Sequence, residues 1–485
     1  MNTKSRKIVL APLFTLCISI LVALIIPFKI ISYGYLPPDD ALRHSAKVIS
    51  GKDWSQILIL QPGINLDSHP GWHAILTGFH RLTKCNIDGL VVFSVVALFL
   101  LFTLTLIISL QRQEAGLLSL VLAFLTVPVF TSRLLLGRPY IFTMAVLMFI
   151  LFSWPRFNEK KLPWGFFTIT TLLIAASTWI HCLWYAFILV ILSFILARQW
   201  RVAIILSAAT ALGVIVGTLF TGHPFLFFMQ TIMHAIRSFT NYGLTRMLVV
   251  EFYPSDGNVL IVMSVIILLL WRLSRKEWNI KRIDNPVFIL ALIGWVLGLK
   301  TQRFWLDWGL VATVVWIAQE FQEVVSAKMN YFSFKRFALG FVVAITLFLI
   351  ATSDLSSRWT ACLNINYLSG DDPKQKEWLP EPGGIFYTAD MLVFYQTFYK
   401  NPKSEWRYIL GFEPTMMPQK DLATYRNIQR TFGALQTYEP WVKKMKPPDR
   451  LILRNPTENP SKIKELEWHE AASGLWVGRL PKKAK

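Results

Sequence analysis

The chain has 485 residues, of which 54% are hydrophobic and 16% charged, and a mean hydropathy of +0.45. Soluble globular proteins carry about 25% charged residues, so this composition excludes an ordinary soluble protein. The formal net charge of +20 would suit nucleic acid, anionic lipid or an anionic substrate. Much of the excess, however, sits in short connections between apolar runs, where basic residues orient helices across a bilayer. Lipid is therefore the expected neighbour and nucleic acid is not. Long unbroken apolar runs also exclude a porin, which shows weak alternation in segments of about ten residues.

The first run, Ile8–Phe28, is long enough to cross a hydrocarbon core of about 30 Å. Lys4, Arg6 and Lys7 precede it and keep the N-terminus cytoplasmic. The bulky Ile30-Ile31-Ser32-Tyr33 offers no signal-peptide cleavage site, so the helix is expected to be retained. Further runs follow at Leu90–Leu110, Gly116–Phe130, Tyr140–Trp154, Trp164–Ile180, Leu183–Ala197 and Val202–Thr221. Then come Val259–Trp271, Pro286–Leu299, Trp305–Glu320 and Phe337–Thr352, for about eleven spans in all. Basic residues crowd every second connection: Arg112; Arg156, Lys160 and Lys161; Arg198 and Arg201; Arg272 to Arg282; and Lys328, Lys335 and Arg336. The alternate connections are poorer in charge, so the odd span count sends the C-terminus outside. The Trp and Phe content reads as interfacial belt and helix packing, and Trp72 is the aromatic singled out as a site candidate.

The expected fold class is a polytopic α-helical membrane protein over residues 1–353, with an outside loop at 29–89, followed by a small extracytoplasmic α/β domain at 354–485. In that tail, strand-like pieces (Gly384–Thr388, Trp406–Gly411, Arg450–Arg454, Gly474–Arg479) alternate with helix-like ones (Ala389–Tyr399, Gln419–Thr431). Pro and Gly mark the joins. Of four cysteines, Cys85 and Cys362 both fall outside and are the pair open to a disulfide. Asn455-Pro456-Thr457 and Asn459-Pro460-Ser461 are blocked as glycosylation acceptors. This favours a prokaryotic plasma membrane, with a bacterial inner membrane the expected location.

Three groups of residues could carry chemistry. Asp39-Asp40 lies just beyond the first span, where carboxylates at a membrane face are functional candidates. Either can also cap a helix over Ala41–Ile49. Asp67, His69 and His73 follow, with the two His spaced i, i+4 on one face if a helix begins near Pro70. That set suggests substrate hydrogen bonding or a divalent metal, although it is not a closed ligand set. Finally, Arg133, Arg138, His181, Lys300 and Arg303 fall in outside connections. Arg138 and Arg303 suit bidentate phosphate contact, whereas Arg133 and Lys300 read as anchors to lipid headgroups. The loop from Thr221 to Gly257, with His223, His234, Arg237, Tyr242, Arg246 and Glu251, is long enough to fold over a site.

The acidic pair after the first span, the Gly51-Lys52-Asp53-Trp54 element and Asp67-Ser68-His69-Pro70 before the second span resemble the GT-C superfamily of integral-membrane glycosyltransferases. That group includes protein O-mannosyltransferases, the aminoarabinose lipid A transferase and oligosaccharyltransferase. Asp39 and Asp40 match its acidic pair, and His69 and Pro70 match its His-Pro-Pro element, with Gly71 in place of the second proline. The resemblance implies an inverting transfer of a sugar from a polyprenyl-phosphate carrier to a glycan, lipid or protein acceptor outside the cytoplasm. It further implies Asp39 as the base, Asp40 and Asp67 as orienting acids, and cations on the carrier phosphate. The rival is a transporter or flippase for a lipid-linked substrate. That reading needs charged groups along a path inside the spans, and the middles of the spans are nearly free of them.

Overall fold

The computed structural model describes residues 3–481 apart from 65–66, 160, 162, 241–251, 276, 278 and 366. Side chains are described from residue 12 onward, except those of 234–235 and 237–240. Contacts divide the chain into two units, each with its own core.

The first unit takes Met1–Gly34, Ser68–Trp72 and Phe93–Trp359, and its described residues form helices and no strand. Among the described residues of the whole chain, five helices are long and apolar enough to cross a membrane: Pro12–Ser32, Ile87–Ile108, Tyr140–Phe157, Trp200–Leu219 and Phe334–Thr352. A sixth follows if Gln113–Thr126 and Pro128–Leu134, bent by 113° at their junction, are one span. The bend falls at Pro128, which has no N–H to continue the helical ladder. Other apolar segments expected to span, including Trp164–Ile180, Val259–Ser274 and Pro286–Gly298, form helices of 10–17 residues. These helices are consistent with a membrane protein.

Packing inside this unit uses devices that composition hides. Gly213 and Gly217, four apart on Trp200–Leu219, let that helix meet Trp164–Ile180 closely; a Cβ at Gly217 would lie 2.5 Å from the Ala175 carbonyl oxygen. Small residues at this spacing bring helix backbones together where lipid supplies no hydrophobic drive. Several basic residues expected to orient helices are also buried in ion pairs. Arg336 meets Glu114 at 3.0 Å, and Glu320 takes Arg272 at 2.9 Å and Arg282 at 2.6 Å. They therefore join helix ends.

The second unit gathers Tyr35–Asp67, His73–Val92 and Thr360–Lys485. Its five strands are β1 (Ile385–Thr388), β2 (Arg407–Tyr408), β3 (Arg450–Arg454), β4 (Glu467–Ala472) and β5 (Leu475–Arg479), in the order β2-β1-β3-β5-β4. β1 runs parallel to β2 and β3, while β5 is antiparallel to β3 and β4. Four of the strands match the expected pieces; β4 does not, because Glu467-Trp468-His469-Glu470 has no apolar face. It forms at the sheet edge through pairing with β5 after the turn at Gly474, whose φ of +71° suits glycine.

The loop expected at 29–89 contributes to this unit's core. Ala46, Trp54, Ile57 and Leu58 pack with Phe386, Phe394, Phe398 and Tyr408. The Ile59 N–H donates to the Tyr408 carbonyl at 2.9 Å, extending β2 by a parallel bridge at Leu58. All four cysteines are free, so Cys85 and Cys362 form no disulfide. The Cys362 sulfur instead accepts the Leu36 N–H at 3.4 Å.

Candidate functional site

In the second unit, Asp39 is the N-cap of a helix over Asp40–Ser50, and its carboxylate accepts the Asp40 N–H at 2.5 Å. The helix forms where its apolar face directs it, with Ala41, Leu42 and Ala46 buried, and stops at Gly51 in the left-handed region. Asp40 has a different role from Asp39. Its Oδ1 accepts the Arg43 Nε–H at 2.6 Å, one helical turn on. Arg43 is 3% exposed and lies 4.0 Å over the Phe412 ring, with its Nη1 buried and unpartnered among the described residues. Nothing about Arg43 is conspicuous in the sequence except its i, i+3 spacing from Asp40, and that spacing is the signal that points to it.

Asp67, His73 and His44 form a continuous polar chain. The Asp67 Oδ2 is hydrogen-bonded to His73 Nδ1, and His73 Nε2 lies 2.8 Å from His44 Nδ1. A carboxylate only accepts, so His73 carries its proton on Nδ1 and, when neutral, accepts at Nε2 from His44. His44 Nε2 is then the basic end of a carboxylate–imidazole–imidazole relay, wholly buried at His44. Such a chain can take up a proton at one end and stabilise the resulting cation at the other. His44 shares a helix with the acid pair, yet no local pattern in the sequence marks it as a partner of His73. Lys47, beside Asp67 and 5.7 Å from the Trp54 ring, has its ammonium pushed below the ordinary lysine range by burial, against the pull of Asp67 and Asp53.

Both ring nitrogens of His73 are thus engaged and offer nothing to a metal. Among the described residues no group of three or more His, Cys, Asp or Glu is placed to hold one. The helix does begin at Pro70, with His69 immediately before its first residue and His73 in its first turn.

In the first unit, His69 Nδ1 meets Ser68 Oγ at 2.9 Å, and its ring lies 5.2 Å from that of His181, which is 6.1 Å from Tyr140. Gly71 follows at a tight approach: a Cβ there would lie 2.6 Å from the Trp179 ring and 2.8 Å from the Trp179 carbonyl carbon. A second proline after Pro70 would not fit. Trp72 is buried, so its ring is not open for stacking.

Arg133 does not anchor to headgroups. It is buried and binds Asp307 through two bonds, Nε to Oδ1 at 2.6 Å and Nη2 to Oδ2 at 3.0 Å, with its guanidinium 4.7 Å from the Tyr140 ring. Arg303 reaches the same carboxylate at 3.4 Å. Asp307 is 3% exposed and sits in a π-helical turn, Trp305–Gly309, a distortion often found at functional sites. In the sequence Asp307 is hidden inside an expected span; its i, i+4 spacing from Arg303 is the one local signal of it. Arg138 lies in the bend between Leu134 and Tyr140. Tyr242, Arg246 and Glu251 lie outside the described residues, as do the side chains of His234 and Arg237.

The chain was compared with protein-family models and with curated proteins, and it matches none of either.

Proposed function

We propose that this chain is an inverting glycosyltransferase of GT-C type, moving a sugar from a polyprenyl-phosphate carrier to a glycan, lipid or protein acceptor. The single observation that carries the reading is the asymmetry of the acidic pair. Asp40 accepts from the Arg43 guanidinium, whereas Asp39 accepts a backbone N–H at the helix N-terminus, and we assign the base to Asp39. An acceptor hydroxyl needs such a base as it bonds to the anomeric carbon. The Asp67–His73–His44 relay supports the reading, since it can buffer a proton within the same unit.

The leaving phosphate needs cations. Arg133 and Arg303 both reach Asp307, which groups two guanidiniums of the kind that meet phosphate through paired N–H donors. Purified protein given a polyprenyl-phosphate-linked sugar and envelope extract should form a glycosylated product. Arg303→Ala should raise the donor concentration needed for half-maximal rate at least about tenfold, and Lys should restore it only in part, lacking the planar fork. Normal donor saturation in Arg303→Ala would return this arginine to a structural role with Asp307.

The eleven-span layout and its orientation belong to the same proposal, in the bacterial inner membrane with the N-terminus inside and the tail outside. A reporter enzyme that works only outside the cytoplasm, fused after Lys485, is expected to be active; a stable but silent fusion would reverse the orientation. The transporter reading keeps one observation of its own, the 113° break before Pro128, because discontinuous helices line many transport sites. Movement of the lipid-linked sugar across vesicles without product formation would favour it.

A further inference from the structure

A cavity of about 300 Å³ opens in the second unit, and no residue of the acidic loop lines it. Its floor is one face of the helix Met391–Lys400, carrying Gln396 and Thr397, with apolar Leu368, Val393 and Leu475 beside them. Gln396 is 5% exposed and Thr397 1%. Both residues line the cavity, and the Thr397 carbonyl accepts from the Asn401 side-chain amide at 2.8 Å. The lining thus combines a side-chain amide and a hydroxyl with apolar side chains. Exposed Asn455 and Ser473 stand at the mouth with Arg454, whose charge is offset by Asp390 at 3.1 Å.

We infer that this cavity binds one neutral pyranose ring of a glycan. Amide and hydroxyl groups in the lining donate and accept in the alternation that sugar hydroxyls require. The Leu368, Val393 and Leu475 side chains offer an apolar surface for the C–H face of the ring. A phosphate would meet a single arginine already held by a carboxylate, and a lipid tail would bury polar groups at a cost. The volume lies at the lower end for small-molecule sites, enough for one ring. The inference stands on the cavity alone and does not depend on the transferase reading.

Saturation-transfer NMR on the full-length protein in detergent tests it, with the methyl glycosides of glucose, mannose and N-acetylglucosamine as probes and inorganic phosphate as competitor. At least one glycoside should receive saturation on its ring protons and be undisturbed by phosphate. Gln396→Leu, which removes an amide from the cavity lining at similar size, should weaken that binding about tenfold or more. Ser473→Trp should block the mouth from an exposed turn; if Gln396→Leu fails to fold, this variant carries the test. Asp39→Asn should bind as the unaltered protein does. No signal from any glycoside, displacement by phosphate, signals unchanged in every folded cavity variant, or binding lost in Asp39→Asn would each overturn the proposal.

Discussion

Asp39→Asn is expected to abolish sugar transfer while the protein stays folded and still binds its donor. The N-cap oxygen that accepts the Asp40 N–H survives in Asn, which caps a helix about as well as Asp. What Asn cannot do is accept the acceptor's proton, and loss of a general base removes about 10²–10⁴ in rate. Capping and catalysis therefore make opposite forecasts for one conservative change. Asp40→Asn is the control. It takes the carboxylate from a buried guanidinium, so it should cost about 1–3 kcal/mol of stability and lower transfer less steeply. Wild-type turnover in purified Asp39→Asn would sink the base assignment. Were Asp40→Asn then dead, the roles would be exchanged; full activity in both would make the pair structural and remove the main support for a transferase.

Asp307→Ala should destabilise the first unit severely. It deprives buried Arg133 of its two-bond partner, and removing one member of a buried ion pair costs about 3–5 kcal/mol. A fall in the thermal unfolding midpoint of the purified protein checks this; an unchanged midpoint would mean that the pair contributes nothing net. The double change Arg133→Met with Asp307→Leu should recover most of the stability, because an apolar pair of similar size avoids burying charge. Transfer should not recover with it if Arg133 also serves the donor phosphate. A stable, fully active double variant would confine the cluster to a structural role.

Much of this protein was legible along the chain because the signals are local. Apolar runs predict helices from the cost of leaving backbone groups unpaired in lipid, and most runs do form helices, from Tyr140–Phe157 to Phe334–Thr352. The helix after Asp39 and the strand Arg450–Arg454 were readable for similar reasons, a carboxylate cap and a β-rich run between turns. Edge strand β4 was not, since its residues have no face of their own and gain their hydrogen bonds only from β5. Nor was the length of each helix: the run Gly116–Phe130 is continuous in hydropathy, yet Pro128 breaks it.

The site divides along the same line. Composition and residue type by themselves pointed to a helical chain with apolar helices able to cross a membrane and an α/β tail, and singled out Asp39, Asp40, Asp67 and His73 as candidates, because charge in an apolar chain is costly enough to be conspicuous. Tertiary structure alone decided the partners. It linked Asp67 through His73 to His44, set Asp307 against Arg133, and built Trp54 and Leu58 into the core of the tail. Asp307 stands 174 residues from Arg133 in the chain. Pairings over such separations follow from which buried charges can reach one another once helices and sheet have packed, and no local pattern encodes that.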